Sequence, residues 1–377
     1  MGNSMNGNPV NGNSVNGAPV RVGIVGVGKI SGAYLGTFRR LAGVELTAVA
    51  DIDSERARVA AQADGVRALT VEELLHDGEV DVVLNLTIPA AHADVSLRAV
   101  AAGKSVYVEK PLTADLASAR RLVDAAREAG VQLGCAPDTV LGTGVQTARR
   151  AIDDDLIGTP ISATASMQCP GHESWHPDPD FYYQPGGGPL LDMGPYYISA
   201  LVTMLGPVES VIGMANRSGA HRTIGSGPRA GQDVPVDIDT HVTGVLRHVN
   251  GALSTLTMSF DVTATGAAPI EVHGSAGSLR VPDPNHFDGE VALHRRGGPG
   301  WEVLEPSAGY LESSRGYGVA DMAAHAPGDG VASGSLGLHV LDVMLSLLRS
   351  SETGTVESVA NQVTRPPAVP LSALDQV

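Results

Sequence analysis

A glycine-rich loop near the N-terminus constrains the fold of this chain more than any other segment. The loop, residues 26–31, reads Gly-Val-Gly-Lys-Ile-Ser and follows an apolar run over residues 22–25. A strand, a tight turn and a helix start in this order present backbone N–H groups to a diphosphate. Glycine-rich turns also serve SAM and FAD proteins or simply join a strand to a helix, so the loop alone does not identify a dinucleotide site. The predicted contacts are Gly26, Gly28, Lys29 and Ile30.

A second apolar run, residues 44–50, ends at Asp51, about 20 residues beyond the glycine loop. A carboxylate at this position accepts hydrogen bonds from the adenosine ribose and repels a 2′-phosphate. The sequence therefore favours NAD, and NADP stays possible because Arg56 and Arg58 lie close by. An alternative is that Asp51 only caps the helix that begins near Ser54.

A third run, residues 80–86, is nearly all apolar, as expected for a parallel strand buried on both faces. A predicted helix over 91–102 and a predicted strand over 105–108 follow, and the strand leads into Glu-Lys-Pro at 109–111. The carboxyl ends of parallel strands meet at one edge of a sheet, so the segments that follow them line one cleft. Further predicted cofactor contacts are Thr87, Pro89, His92, Glu109 and Lys110.

The pattern changes after residue 135, where a predicted helix over 145–156 precedes alternating runs typical of antiparallel strands. We therefore predict an α/β protein with a Rossmann dinucleotide-binding domain over 19–137. An α+β domain with a large, open, mainly antiparallel sheet is predicted over 138–377. The Asn-Gly-rich residues 1–18 are predicted to be a disordered tail without an export signal.

Two further segments of the second domain carry predictions. An amphipathic helix is expected over 336–348, near the domain junction. Asp237, Asp239 and His241 alternate in sequence and would share one face of a strand, as a pocket wall or, preferably, as an oligomer surface.

Composition excludes several classes of protein. The chain has 377 residues, 43% of them hydrophobic, and a net charge of −16, which disfavours nucleic acid and anionic membranes as partners. No segment suggests a membrane span. The only two cysteines, Cys135 and Cys169, lack CxxC spacing, so reduced thiols in the cytoplasm are expected.

Several segments together resemble the Gfo/Idh/MocA oxidoreductases, which include glucose-fructose oxidoreductase and inositol dehydrogenase. The resemblance covers about residues 20–370. It implies an open sheet whose free face forms a homodimer or homotetramer. The matching segments are 26–31, 85–92, 109–111, 186–197, 271–284 and 316–322.

The resemblance implies a catalytic centre. In that family the lysine of Glu-Lys-Pro and an Asp-x-x-x-His pair surround the reacting carbon, whereas this chain has Asp192 followed by Tyr196. An unperturbed tyrosine has a pKa of about 10, and a nearby Lys110 would favour the phenolate and make Tyr196 a proton acceptor. Residues four apart share a helix face, so Asp192 and Tyr196 can both reach one substrate. The alternative is that Asp192 only provides a negative charge at the start of a helix and that Tyr196 only packs in the core.

The run His172-Glu-Ser-Trp-His176 matches the zinc-protease motif His-Glu-x-x-His. That motif binds zinc only when it is helical, and here Pro170 and Pro177 lie on either side of it. We expect a loop and no metal. The aromatic and imidazole groups are instead suited to a sugar pocket, with a packed loop as the alternative. The predicted substrate contacts are Trp175, His176, Tyr182 and Tyr183.

These observations predict an NAD(P)-dependent oxidoreductase that transfers hydride between nicotinamide and a secondary alcohol or ketone. The expected substrate is a sugar, a sugar derivative or a cyclitol, with Tyr196 and Lys110 exchanging the hydroxyl proton and Asp192 orienting the substrate. One alternative is a glycosidase that retains NAD and uses transient oxidation to drive elimination. A catalytically silent NAD-binding sensor is a third possibility, which the polar groups at 110 and 196 disfavour.

Overall fold

The fold is known from a computed structural model that describes residues 18–328 and 330–373. The predicted tail over residues 1–18 falls outside this range except for residue 18. The N-terminal half contains six strands: β1 (Val20–Val25), β2 (Val44–Ala50), β3 (Arg67–Leu69), β4 (Val82–Asn85), β5 (Ser105–Val108) and β6 (Leu133–Cys135). The helices between them are α1 (Ser31–Phe38), α2 (Ser54–Asp64), α3 (Val71–His76), α4 (Pro89–Ala101) and α5 (Leu116–Ala129).

The six strands form one parallel sheet with the order β3-β2-β1-β4-β5-β6. The direction of strand order changes between β1 and β4, which is where open α/β sheets bind ligands. Local sequence explains the helix starts: Asp53 caps α2, Thr70 and Glu73 form a capping box on α3, and Pro89 occupies the first turn of α4. The predicted Rossmann fold is confirmed.

The rest of the described chain forms an α+β domain. Its strands are β7 (Pro160–Gln168), β8 (Val208–Asn216), β9 (His221–Thr223), β10 (Asp233–Pro235), β11 (His241–His248), β12 (Leu253–Ser259), β13 (Ile270–Gly274), β14 (Gly277–Val281), β15 (Val291–Arg295), β16 (Glu302–Leu304) and β17 (Glu357–Ser358). Its helices are α6 (Thr143–Asp153), α7 (Pro189–Leu205), α8 (Tyr317–Ala324) and α9 (Gly334–Thr353).

Nine of these strands form a mixed sheet with the order β16-β15-β14-β13-β7-β12-β11-β8-β17. Its neighbouring strands are antiparallel except for β7 and β12, which run parallel, so the prediction of a mainly antiparallel sheet is confirmed. One face packs against α7 and α9. The other face is open, with Met214, Thr243, Thr257 and Ser166 in one row across four strands.

Helix α9 contacts β8 of this sheet and also α5 and β6 of the Rossmann domain. The amphipathic helix predicted near the domain junction is therefore present and longer than expected. Tyr310, Tyr317 and Val319 pack into the core on one side of the Rossmann sheet. The C-terminal part of the chain therefore packs against the first domain. The predicted boundary between the two domains at residue 137 stays a prediction.

The prediction for Asp237, Asp239 and His241 is wrong in its geometry, because β11 begins only at His241. Asp237 and Asp239 are exposed in the preceding loop and do not share a strand face with the histidine. They line a cavity of about 350 Å³ that the segment 186–188 also lines.

Within the described residues, no helix combines the length and apolar character needed to cross a bilayer.

Candidate functional site

The glycine loop joins β1 to α1 in the geometry that a diphosphate requires. Gly26 has φ of +96°, and a Cβ there would lie 2.8 Å from the carbonyl carbon of Leu86 in the segment after β4. A Cβ on Gly28 would meet open space. Within residues 18–328 and 330–373, the N–H groups of Gly28, Lys29 and Ile30 donate to no protein acceptor. The loop therefore fits an anionic diphosphate at the start of α1.

Asp51 lies at the end of β2 beside this loop. One carboxylate oxygen accepts from Val27 N at 2.8 Å and the other from Asp53 N at 2.9 Å, and Arg56 lies 3.9 Å away. Asp53, not Asp51, accepts from the first amides of α2. The alternative of a mere helix cap is therefore wrong, and Asp51 fixes the loop while placing a negative charge at its edge.

Two predicted cofactor contacts have buried side chains engaged elsewhere. His92 is fully buried, and its ring nitrogens face the carbonyl oxygens of Pro111 and Thr87 at 2.7 and 3.0 Å. Glu109 accepts from Tyr34 Oη at 2.8 Å and from Lys110 N at 2.9 Å. These two side chains hold in place the loops that follow β4 and β5. A contact of the two residues with the cofactor stays a prediction.

The other predicted contacts after β4 lie nearer the surface. Thr87 is partly buried and its hydroxyl donates to Asn85 Oδ1 at 2.6 Å, while Pro89 is exposed at the start of α4. This leaves the backbone of the segment after β4 facing the cleft opposite Gly26. A direct contact of Thr87 and Pro89 with the cofactor stays a prediction.

Lys110 and Asp192 form a buried ion pair across the two domains. Lys110, after β5, donates from Nζ to Asp192 Oδ1 at 2.8 Å and to the Asp192 carbonyl at 2.9 Å. Burial alone raises the pKa of Asp192, but the charge of Lys110 and hydrogen bonds from His172 and Lys110 lower it to about 2. Burial lowers the pKa of Lys110, and Asp192 more than reverses this. Both groups are therefore charged at neutral pH, and the lysine retains one unused N–H.

Tyr196 lies one helical turn after Asp192 in α7, with Lys110 Nζ 5.6 Å from its ring centroid. The pair does share one helix face, as predicted. Burial raises the pKa of Tyr196, and the nearby cations Lys110 and Arg315 lower it by less, so the net direction is upward. The expectation of a phenolate is wrong because desolvation outweighs the two positive charges. At neutral pH Tyr196 is a phenol and can donate a proton.

Arg315 is a member of the site that the sequence analysis did not identify. Its Nη2 donates to Tyr196 Oη at 3.1 Å and to Asn285 Oδ1 at 3.0 Å. Because an arginine only donates, the phenol accepts this bond and directs its own hydrogen elsewhere. The family resemblance covers the adjoining segment 316–322 and implies no role for Arg315.

Buried Asp138 explains why the Arg315 segment lies at the site. One Asp138 oxygen accepts from Gly316 N at 2.7 Å and Gly318 N at 3.1 Å, while the other lies 3.8 Å from Arg315 Nη1. A Cβ on Gly318 would lie 2.1 Å from Tyr107 Oη. This close packing and the carboxylate hold the segment against the Rossmann domain.

The loop after β7 contains the His-Glu-x-x-His run, which adopts a single 3-10 turn over His172–Ser174. The predicted loop is confirmed, and the three charged side chains of the run diverge. Glu173 pairs with Tyr183 and Arg222, and His176 Nδ1 accepts from Asp178 N at 3.1 Å. His172 reaches the carboxylate of Asp192, with 3.2 Å between its Nε2 and Asp192 Oδ2.

Three of the predicted substrate contacts surround the mouth of this site. Trp175 is 52% exposed and lies under Lys29 of the glycine loop, with 5.3 Å between Nζ and the ring centroid. His176 and Tyr182 are half-buried beside it. Tyr183 is fully buried behind the loop, and its hydroxyl donates to Glu173. Tyr183 is thus not a pocket wall, and substrate contacts of the other three stay a prediction.

Comparison with known proteins agrees with this architecture. The family model described as "Oxidoreductase family, NAD-binding Rossmann fold" matches residues 20–136, and "GFO/IDH/MocA C-terminal domain" matches 145–280. The chain is 28% identical over 346 residues to 1,5-anhydro-D-fructose reductase of Ensifer adhaerens, covering 89% of this chain and 98% of that protein.

Two solved structures share the fold. An NAD binding oxidoreductase from Klebsiella pneumoniae superposes with a TM-score of 0.80 at 23% identity, covering 91% of this chain and 99% of that one. Levoglucosan dehydrogenase in complex with NADH and L-sorbose gives 0.77 at 20% identity, with coverage of 91% and 99%. Matched by family models over both of its domains, the chain belongs to the Gfo/Idh/MocA family of NAD-binding oxidoreductases.

Proposed function

We propose that this protein transfers hydride between NAD and a secondary alcohol or ketone of a sugar, sugar derivative or cyclitol. The observation that carries the proposal is the meeting of Lys110, from the Rossmann domain, with Asp192 and Tyr196 from the second domain. This cluster lies after β5, on the same edge of the parallel sheet as the glycine loop. The names of relatives that act on sugars support the substrate class.

The cofactor supplies the hydride acceptor or donor, and the residues of the chain supply position and charge. The free N–H of Lys110 points a fixed positive charge into the cleft, which stabilises negative charge on the substrate oxygen. Asp192 fixes that lysine through two of its three hydrogens. Tyr196 donates its hydrogen to the same oxygen, because Arg315 already donates to the phenol.

The protonation state of Tyr196 makes it a hydrogen-bond donor to the substrate oxygen. Its raised pKa keeps the phenol protonated at neutral pH, so its O–H stabilises negative charge that develops on that oxygen. We therefore expect the phenol to keep this role until pH rises above the ordinary tyrosine range.

A panel of sugars, sugar derivatives and cyclitols with NAD and NADH, and with their ketones, tests the proposal. Stoichiometric formation or consumption of NADH, followed by absorbance, is the expected result. A glycosidase that retains NAD would instead cleave a glycoside with no net NADH. Cleavage of this kind would replace the dehydrogenase assignment.

Tyr196→Phe is expected to lower kcat about 100-fold, the usual cost of removing one hydrogen-bond donor to a developing oxyanion. The ring and its packing against Lys110 remain, so folding and NAD affinity should not change. Stopped-flow reduction of the substrate ketone and the protein's thermal unfolding measure the two effects. A kcat within twofold of wild type would exclude the phenol from the reaction.

Asp51→Ser is expected to shift cofactor preference toward NADP by removing the charge that repels a 2′-phosphate. Serine also loses the paired bonds to Val27 and Asp53, so binding of NAD should weaken. Asp53→Ser, at the exposed cap of α2, is the matched control and should leave the ratio unchanged. The ratio of kcat/KM for NAD and NADP in the three proteins is the measurement. An unchanged ratio in Asp51→Ser contradicts the assignment.

We further propose a homodimer or homotetramer formed through the open face of the nine-stranded sheet. Ile212 and Met214 of β8 are 42% and 68% exposed on this face, beside threonines of β11 and β12. Apolar side chains grouped on a regular surface are typical of an interface. Light scattering of the wild type and of Met214→Glu tests the assembly.

We also propose a cytoplasmic location, which the two free cysteines support.

A further inference from the structure

An imidazole from outside α7 is held against the catalytic carboxylate. His172 Nε2 lies 3.2 Å from Asp192 Oδ2, and Asp192 Oδ1 accepts from Lys110 Nζ at 2.8 Å. An ionised carboxylate only accepts hydrogen bonds, so Nε2 carries the hydrogen. In the neutral imidazole Nδ1 then has the lone pair. Asp192 therefore selects the tautomer of His172, in the way that a carboxylate orients a catalytic histidine.

Buried groups behind the loop fix the position of His172. Its backbone N–H donates to Tyr183 Oη at 3.2 Å, Tyr183 donates to Glu173, and Arg222 lies 3.4 Å from that carboxylate. The ring packs against Phe260, with centroids 4.5 Å apart. Because both its backbone and its ring are held in place, His172 loses little further conformational entropy when it acts on a substrate.

The other ring nitrogen remains available. Within residues 18–328 and 330–373, His172 Nδ1 makes no hydrogen bond, and it is not a buried atom. The ring therefore lies between the partly buried carboxylate of Asp192 and the side chains of Trp175 and Tyr182. The titratable groups around it are Asp192 and Lys110 on one side and, from its own loop, His176 and Tyr182, while Phe260, which follows β12, carries no charge.

Oxidation of an alcohol releases one proton, which a group in the site must carry to solvent. Lys110 and Tyr196 are held in their protonated forms by their surroundings, and Asp192 in its ionised form. None of these three changes charge near neutral pH. An imidazole does so in most protein environments, and His172 is the imidazole in contact with the carboxylate.

We propose that His172 is the acid–base residue that exchanges the substrate proton with solvent, with Asp192 as its orienting partner. In oxidation the substrate O–H bond breaks and its proton bonds to Nδ1. The C–H electron pair leaves as hydride to the nicotinamide, and the C=O double bond forms. The imidazolium then loses its proton to solvent. Reduction reverses each step, and Tyr196 and Lys110 act as hydrogen-bond donors to the substrate oxygen throughout.

This proposal rests on the proposed function and makes a prediction that the function alone does not. Oxidation requires neutral His172, so its kcat/KM rises with pH through the histidine titration. Reduction requires the imidazolium, so its kcat/KM falls through the same range. His172→Gln retains a side-chain N–H for Asp192 but cannot titrate. We expect kcat/KM to fall about 100-fold and the neutral-pH limb to disappear from both profiles.

The matched control is His221→Gln, which removes an exposed histidine of β9 and should keep both the rate and the pH profile. His172→Ala with added imidazole should regain activity in step with the concentration of neutral imidazole. Thermal unfolding and NAD titration of each variant separate lost folding from lost chemistry. A His172→Gln enzyme with the wild-type pH profile would overturn the proposal and leave the dehydrogenase assignment intact.

A second measurement needs no turnover. NMR of the His172 ring nitrogens should show the hydrogen of the neutral imidazole on Nε2, and Asp192→Asn should weaken this preference because a neutral amide oxygen accepts a hydrogen bond less strongly than a carboxylate. A hydrogen on Nδ1 in the wild type, or an equal preference for Nε2 in folded Asp192→Asn, would also overturn the proposal. Failure of the substrate panel with the hydrogen on Nε2 would contradict only the proposed function.

Discussion

Replacing Lys110 by alanine is expected to lower kcat about a thousandfold while NAD still binds. Under the proposed function the ammonium stabilises negative charge on the substrate oxygen, and removal of a single such donor typically costs a factor of 10² to 10³. Two of its three hydrogens are bonded to Asp192, so the lysine contributes position and charge rather than cofactor affinity. The measurement is single-turnover hydride transfer, with NAD affinity determined separately by fluorescence.

Loss of the lysine also leaves His172 as the remaining side chain that contacts the Asp192 carboxylate within the described residues. Breaking a buried pair costs about 3 to 5 kcal/mol, and less here because each side chain retains nearly one fifth of its exposure. Asp192→Asn in the Lys110→Ala background should recover part of this stability without recovering turnover. That double variant separates a folding defect from a chemical one.

Lys104→Ala is the matched lysine control. Its Nζ donates to the carbonyls of Asp77 and Val80, at the opposite edge of the sheet from the glycine loop. This variant should lose some stability and keep wild-type kcat. If Lys110→Ala turned over at a rate near that of wild type, the role given to Lys110 would be wrong.

Short-range patterns made the glycine loop and Asp51 candidates, and the family resemblance added catalytic roles for Lys110, Asp192 and Tyr196. Turn glycines, strand ends and four-residue helical spacing place side chains relative to their own element. The same local reasoning predicted that the His172 run would not be an α-helix, since prolines flank it. The resemblance to a family then connected elements that no local rule connects.

What the sequence did not reveal depends on contacts between distant segments. Arg315 reaches Tyr196 because Asp138 and Gly318 hold its segment against the Rossmann domain. Burial reversed the expected direction of the Tyr196 pKa, and only the packing around a phenol determines how strongly it is desolvated. The full burial of the His92 ring, in the helix that follows β4, was likewise not evident from the sequence.

Gly26→Ala is expected to destabilise the protein by about 3 kcal/mol, from a strained φ and from overpacking. The new Cβ would lie 2.8 Å from both the carbonyl carbon and oxygen of Leu86, backbone atoms that the adjoining sheet holds in place. Relief of the clash must move the loop away from β4, which displaces the free amides at the start of α1. We therefore also expect NAD affinity to fall more than tenfold.

Gly28→Ala separates the two consequences within the same loop. Its φ is not in the left-handed region, and a Cβ there meets no protein atom within 4 Å, so the fold should keep nearly its full stability. The methyl group would instead occupy space that the diphosphate needs, and NAD binding should weaken. Urea unfolding and NAD titration of both variants give the comparison. Equal losses of stability in the two variants would show that the clash with Leu86 is not what makes Gly26 necessary.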